Sequence, residues 1–445
     1  MQLKVNLKKF ILYTILFAAI FYGIFFLTAQ EMPKYRGFMF SFLLFILADF
    51  YVWSYYKKYV VNKVLGFKII LFCLYWLSLI LSFTFFISSL VSNIKDWPAF
   101  YRTYLTGLMF VMYVPKLFMA GIILLSDLIR ILRFIIVFLF KRSRFTQKFK
   151  NKRPAFLLYT GNIVSIFIII ILFYGMIFNA FDFEIKKVNI TSGKLPDSFK
   201  GFRIVQISDL HLGSIYRTEI IENLTDKINK LNPDIVFFTG DLLNYSTSES
   251  NGFETFLKKL KAKKGVYTIL GNHDYGDYVK WENEEEKKQN LIDLEEFYKK
   301  CGWILLKNEN AKIYSDSSFI NIIGVENWGK DPRFQKKADM QKATKDIDTS
   351  AFNILLSHDP SHFDLIIQKY YPFINLTLSG HTHAMQMGIS TDEFEWSPAK
   401  YLYKYWGGLY QTNKNQYIYV NRGSGVLGYP GRIGIKPEIT LIVLN

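Results

Sequence analysis

The chain has 445 residues, 51% of them hydrophobic and 18% aromatic, with a formal net charge of +17. Such a length accommodates two or three domains, and the apolar content is high for a soluble protein. Residues 1–180 hold 21 Lys and Arg against 4 Asp and Glu, whereas residues 181–445 hold 33 of each. A nucleic-acid-binding enzyme should carry its basic patch on the folded domain, so no nucleic-acid partner is expected; basic residues among long apolar runs point to membrane topology.

Spanning a hydrocarbon core takes about 20 apolar residues. Five runs qualify: Phe10–Ala29, Gly37–Tyr55, Ile69–Val91, Leu105–Leu125 and Phe156–Asn179. The first is too long for a cleaved signal peptide and no small-residue cleavage site follows it. The segment Asp127–Phe140 is short and interrupted by Arg130 and Arg133, which predicts a cytoplasmic extension or interfacial helix. Orientation follows from the loops. Lys4, Lys8 and Lys9, then Lys57, Lys58 and Lys63, then nine basic residues from Arg130 to Arg153 alternate with poorer loops holding Lys34 and Arg36, and Lys95 and Arg102. The N-terminus is therefore expected inside, and five spans place the C-terminal domain outside the cytoplasm. Asp49, Lys116 and Asp127 lie within or at the ends of spans; intramembrane charge is a functional candidate by default, and interhelical pairing is the reading preferred here. The tract Lys141–Arg153 reads as an inside-facing topology signal that also meets anionic lipid headgroups. Cys73 and Cys301 are the only cysteines, so no disulfide framework can be built.

From residue 181 the pattern changes, marking a transmembrane region over 1–180 and a second domain over 181–445. Strands are predicted at Phe202–Ser208, Asp234–Phe238, Val266–Leu270, Asn353–Leu356 and Asn375–Leu378, with helices at Thr218–Leu231 and Gly252–Lys261. Each strand ends on a polar residue of metal-binding type: Asp209-Leu210-His211, Gly240-Asp241, Gly271-Asn272-His273-Asp274, Ser357-His358 and Gly380-His381-Thr382-His383. Five of the six histidines fall in this series. Imidazole is the commonest side-chain metal ligand, and carboxylates add the oxygen character that Mn, Fe or Zn accept. Ligands bind beyond the carboxyl ends of strands in open α/β sheets, so these residues should converge on one edge. His362, in Pro360-Ser361-His362-Phe363, is expected to cap or begin a helix. Residues 281–288 read as a solvated helix start, with a substrate lid as the alternative. The aromatic run from Phe394 to Tyr410 either packs in the core or borders the metal site and faces the bilayer.

This order of motifs resembles the calcineurin-like metallophosphoesterase superfamily. The C-terminal Tyr419-Val420-Asn421-Arg422-Gly423-Ser424-Gly425 and Pro430-Gly431-Arg432, with Pro437-Glu438-Ile439, resemble its membrane-anchored bacterial branch, which includes the YkuE-like phosphoesterases. The resemblance spans roughly residues 183–445. It implies an α/β metallophosphoesterase domain, a two-sheet β-sandwich flanked by helices, behind an all-α transmembrane region. It also implies two divalent ions (Mn, Fe or Zn, with Mn favoured). Asp209, His211 and His383 would hold one ion, Asn272, His358 and His381 the other, and Asp241 would bridge them. A bridging hydroxide would attack phosphorus, with the cations roughly 3.5–4 Å apart. His273 would serve as general acid or transition-state donor, oriented by Asp274; Asn272, His273 and Arg422 would bind substrate. One departure stands out: the branch often reads Gly-His-Thr-His-Gly-Gly-Gln, and here Ala384 and Met385 precede Gln386.

The expected function is a membrane-anchored phosphoesterase cleaving a phosphodiester, pyrophosphate or phosphomonoester, lipid-linked substrates included, at the outer face of a bacterial cytoplasmic membrane. The runner-up is a cytoplasm-facing lipid-precursor pyrophosphatase resembling the UDP-diacylglucosamine hydrolases. A transport or sensory protein whose domain only binds phosphate compounds is the rival from another class.

Overall fold

A computed structural model describes residues 36–61, 63–139, 153–332, 334–391, 393–412 and 415–445. Among these described residues four long helices come first: α1 (Arg36–Val60), α2 (Leu65–Val91), α3 (Ala99–Leu139) and α4 (Ala155–Tyr174), the last continued by one π-helical turn, Gly175–Asn179. Five spans are not confirmed among the described residues. Three stretches among the described residues are long and apolar enough to cross a membrane: Leu65–Ser89, Ala99–Ile136 and Ala155–Asn179. Helix α1 has 25 residues but is the least apolar of the four, and Phe10–Ala29 lies outside the described residues. The stretch from Asp127, expected as a cytoplasmic extension or an interfacial helix, continues α3 as far as Leu139. Nothing there breaks a helix, and Arg side chains are good helix formers.

Among the described residues, those from Arg36 to Phe86 and those within Met109–Ile169 form one compact unit, and those within Ile87–Leu108 and Ile170–Asn445 form the other. In the first, Val52, Tyr55, Met119, Ile123 and Leu158 make the buried centre. Its charges are paired as expected. Lys116 Nζ lies 2.6 Å from Asp49 Oδ1, and Arg153 Nη2 lies 2.8 Å from Asp127 Oδ2.

Among its described residues the second unit contains fourteen strands: β1 (Glu184–Ile190), β2 (Arg203–Ile207), β3 (Ile235–Phe238), β4 (Val266–Thr268), β5 (Trp303–Leu305), β6 (Glu309–Ser315), β7 (Ser318–Gly324), β8 (Asn353–Leu356), β9 (Leu376–Ser379), β10 (Ile389–Ser390), β11 (Glu395–Trp396), β12 (Gly408–Gln411), β13 (Tyr417–Val420) and β14 (Glu438–Leu444). They build two mixed six-stranded sheets, ordered β1-β14-β2-β3-β4-β5 and β12-β13-β9-β8-β7-β6, plus the small β10-β11 pair. Strands β2 to β5 run parallel, as do β7, β8, β9 and β13.

Side chains alternate across a strand, and here both faces are apolar. Ile204, Ile235 and Phe237 meet Ile320, Ile322, Ile354, Leu356 and Leu378 between the sheets. Val205, Ile207, Val236 and Phe238 face the other way, onto Ile221, Leu224 and Ile228 of helix α5 (Thr218–Lys230) and Leu294 and Tyr298 of helix α6 (Glu284–Lys300). Outside the second sheet, Phe363 and Ile367 cover Ile323, Leu355 and Ile418. Helix α6 starts as a solvated helix should: Asn283 caps it, accepting from Glu286 N at 2.8 Å. The helix expected over Gly252–Lys261 shortens to a single turn, Glu254–Leu257.

Candidate metal centre

Parallel strands bring their C-terminal ends to one edge, and that edge gathers the histidines. Asp209 and His211 follow β2, Asp241 follows β3, Asn272 and His273 follow β4, His358 follows β8, and His381 and His383 follow β9. Five of these residues have left-handed backbone: Asp209 (φ 54°), His211 (49°), Asp241 (59°), His381 (70°) and His383 (48°). Each such conformation costs on the order of 1 kcal/mol or more and concentrates at functional sites. Close approach adds to the constraint. A methyl group at Gly271 would overlap the Asp241 carboxylate, and one at Gly380 would overlap Ser208 Oγ and Asp209 Oδ2.

Two groups of ligand-type atoms result, each with its members within 4.8 Å of one another: Asp209, His211 and His383, and Asp241, His358 and His381. His383 Nε2 lies 3.3 Å from Asp209 Oδ1 and 3.0 Å from His211 Nε2. Asp241 Oδ2 sits 3.2 Å from His358 Nε2 and 3.8 Å from His211 Nε2, so one carboxylate oxygen faces both groups. Six of the seven expected ligand residues are thus brought together, and Asn272 follows the neighbouring strand β4. Asn272 directs its amide nitrogen at the Tyr278 hydroxyl, 2.7 Å away, while its Oδ1 is buried with no hydrogen-bond partner.

The imidazoles are oriented from behind. His211 Nδ1 meets Leu243 O at 3.1 Å and Asn244 Oδ1 at 3.0 Å, and His358 Nδ1 meets Thr239 O at 2.8 Å. His381 reverses the order, with Nε2 at 2.9 Å from the Tyr403 hydroxyl and Nδ1 at 3.2 Å from His358 Nε2. Carbonyl acceptors behind a ring fix the tautomer and leave the other nitrogen for a metal.

The electrostatics match a cation site. Burial would raise the Asp209 and Asp241 carboxyls, but the neighbouring imidazoles (His383 for Asp209, His358 for Asp241) hold both well below the usual carboxylate range. Burial, with His273 and His383 adjoining, pushes His211 down to about 3; burial also lowers His273 and His381. For His358 burial is outweighed by Asp241, which raises it to about 10. The result is two ionised carboxylates, neutral rings at His211 and His381, a His358 ring held charged by Asp241 until a cation takes the place of its proton, and an orphaned amide oxygen. This donor set fits two divalent cations.

Two expected roles need correction. Asp274 does not touch the His273 imidazole. Its carboxylate accepts from Asp241 N (2.9 Å), Leu242 N (2.9 Å), Leu243 N (3.2 Å) and Gly271 N (2.9 Å), tying the β3 and β4 loops together. A carboxylate that close to four amides has no lone pair left to orient a ring; His273 Nδ1 bonds Asn244 O instead, at 2.9 Å. Arg422 is likewise engaged. It pairs with Glu395 at 2.6 Å, has Glu438 at 3.7 Å and donates to Ser390 at 3.0 Å, with its side chain 3% exposed. Its charge is neutralised in the interior rather than offered to substrate.

His362 takes the structural part expected of it, buried in the first turn after β8, with Nδ1 2.9 Å from Ser357 Oγ and its ring stacked on Trp328. The aromatic run divides. Tyr405 and Trp406 are core residues, whereas Tyr403 reaches His381 and Thr382 Oγ1 donates to Trp406 O at 2.6 Å. Sequence reasoning overlooked Asn244 and Tyr278. An Asn three residues beyond Asp241 was the available signal for the first; Tyr278 carried none.

The same division appears in comparisons with known proteins. The family described as "Calcineurin-like phosphoesterase" matches residues 202–385, and "Probable Calcineurin-like phosphoesterase, transmembrane domain" matches residues 35–180. A "Transmembrane protein with metallophosphoesterase domain" of Danio rerio is 31% identical over 280 residues, covering 61% of this chain and 60% of that one. The chain thus spans a little under two thirds of that relative's length. The "Uncharacterized metallophosphoesterase YkuE" of Bacillus subtilis is 32% identical over 266 residues, covering 59% of this chain and 85% of its own length. With its ligand groups assembled at the strand ends and a helical membrane region before them, the chain belongs to the calcineurin-like metallophosphoesterases.

Proposed function

We propose that the protein is a two-metal hydrolase that cleaves a phosphodiester, pyrophosphate or phosphomonoester at the outer face of the membrane. The observation that carries this reading is the position of Asp241 Oδ2 between two sets of buried imidazoles. A pair of divalent cations, manganese in our reading, would generate the nucleophile from water and polarise the phosphoryl oxygens. Asp209, His211 and His383 would hold one ion, and Asn272, His358 and His381 the other. The Asn272 side chain is turned to present its oxygen by the bond to Tyr278. With Nδ1 held by Asn244 O, His273 keeps Nε2 as the atom that carries a proton to the leaving-group oxygen. Asp274 holds the two loops that present Asp241 and His273 in register.

Outward orientation draws support from the segment joining α2 and α3. Asn93 Nδ2 donates to Lys280 O at 2.5 Å, so this loop and the catalytic domain share a side. Helices α3 and α4 return the chain to that side. The loop's two basic residues are both consumed in ion pairs, Lys95 with Glu286 and Arg102 with Glu249. A lipid-linked substrate is favoured by Phe394, Tyr401 and Leu402, 56%, 73% and 65% exposed on the stretch whose Tyr403 touches His381.

Hydrolysis of bis-p-nitrophenyl phosphate with added manganese tests the centre. Asp241→Asn should abolish turnover and lower the bound manganese measured on purified protein; robust turnover in that variant refutes the site. Changing Tyr401 and Leu402 to Ser should impair hydrolysis of a phospholipid more than that of the soluble diester. A reporter fused after Asn179 that is active only in the cytoplasm would instead favour the lipid-precursor pyrophosphatase reading.

A further inference from the structure

The membrane region does more than hold the enzyme at a surface. The end of α2, the turn after it and the start of α3 (Ile87–Leu108) pack as part of the catalytic unit, and one side chain of this stretch enters that unit's interior. Arg102 is 4% exposed. Its Nη2 lies 2.7 Å from Glu249 Oε1 and 3.0 Å from Gly213 O, and its guanidinium carbon lies 4.9 Å from the centre of the Tyr245 ring.

Glu249 passes the contact inward. Its Oε2 accepts from Asn244 N at 2.6 Å and Tyr245 N at 3.2 Å. Asn244 in turn holds two imidazoles: its backbone O meets His273 Nδ1 at 2.9 Å and its Oδ1 meets His211 Nδ1 at 3.0 Å. Its Nδ2 is fixed by Ser214 Oγ at 2.9 Å, on the turn whose Gly213 carbonyl Arg102 also grips. Space is tight as well, since a methyl group on Gly213 would overlap the Glu249 carboxylate.

We propose that Arg102 is a positioning residue for the hydrolase, acting through Glu249 and Asn244 to set the two imidazoles of His211 and His273. This rests on the two-metal reading above. A buried carboxylate without its counterion is strongly disfavoured. Removing Arg102 leaves Glu249 with only two amide donors in a dry interior, and the Asn244–Tyr245 turn loses the charged acceptor that shapes it. The imidazole hydrogen bonds then slacken, and small displacements of catalytic groups cost large factors in rate.

The test uses full-length protein in detergent or nanodiscs, with bis-p-nitrophenyl phosphate and saturating manganese. Arg102→Met should lower kcat at least about tenfold with KM within about twofold of wild type, and should raise the manganese concentration giving half-maximal activity. The double variant Arg102→Met/Glu249→Gln removes both charges yet keeps an acceptor oxygen for Asn244 and Tyr245, so it should recover much of the lost kcat; such non-additivity marks a coupled pair. Lys95→Met, which breaks the other ion pair of the same segment, should leave kcat within about twofold. Should Arg102→Met fail to accumulate, Arg102→Lys carries the test, since one ammonium cannot reach Glu249 and Gly213 while also holding the Ile94 and Lys95 carbonyls that Nη1 meets at 3.3 and 3.4 Å. Wild-type kcat in the Arg102 variant, a loss confined to KM, an equal loss in Lys95→Met, or no recovery in the double variant would each overturn the proposal. None of these outcomes would disturb the Asp241→Asn result, which judges the metal centre separately.

Discussion

Asn244 and His273 are joined by a 2.9 Å hydrogen bond between the backbone carbonyl of one and Nδ1 of the other. The side chain of the same Asn lies 3.0 Å from Nδ1 of His211. One residue therefore steadies a proposed metal ligand through its side chain and a proposed proton carrier through its backbone, and substitution separates the two. Asn244→Ala should weaken manganese binding about 10- to 100-fold, as loss of a partner behind a metal ligand does, and leave kcat at saturating metal within a few fold. His273→Ala should keep its manganese and lose about 10²–10⁴ in kcat, the range for general acid–base catalysis. Metal titrations followed by activity distinguish the two patterns; identical behaviour would reject the split.

The positions where the branch often carries two glycines are left-handed here, with φ 49° at Ala384 and 50° at Met385. A side chain in that region costs roughly 1–2 kcal/mol. Met385 is 44% exposed, so Met385→Gly should relieve strain at little packing cost and stabilise by about 1 kcal/mol. Ala384 is fully buried against Trp406 and Ile435, so Ala384→Gly trades strain for a lost buried methyl group and should be close to neutral. Thermal melts of the two variants check the difference in sign.

Burial lowers the His362 imidazole from 6.5 to about 3. A histidine depressed on folding binds fewer protons in the native state than in the unfolded one. Its penalty is absent above pH 6.5 and grows as pH falls toward 3, reaching about 2 kcal/mol at pH 5. His362→Phe keeps the stack on Trp328 but loses the bond to Ser357 and should be less stable than wild type at pH 8. By pH 5 that gap should close or reverse. A gap independent of pH would show that His362 does not titrate on unfolding.

Asp49 is fully buried and its partner Lys116 nearly so, with Tyr113 and Ser78 completing the cluster. Removing one member of a buried pair typically costs about 3–5 kcal/mol, whereas replacing both by apolar groups is often neutral. Lys116→Met should therefore lower the melting temperature in detergent sharply, and Asp49→Leu/Lys116→Met should restore most of it. A double variant no better than the single would indicate a role beyond pairing.

Sequence alone made legible a helical membrane region ahead of an α/β domain, and it placed the residues proposed as metal ligands at strand ends. The reason is local: short apolar runs announce buried strands, and scarce His, Asp and Asn directly after them need no knowledge of neighbours. What lay beyond reach was whatever depends on residues distant in the chain meeting in space. Asp274 reads as the partner of His273 because it follows it, yet folding spends its carboxylate on amides of the β3 loop and gives the ring to Asn244, 29 residues earlier. Arg422 reads as an anion binder until Glu395 and Glu438 close around it. Arg102 counts as a loop charge in one dimension; only packing reveals that a residue 147 positions away, Glu249, takes it into the interior of the hydrolase.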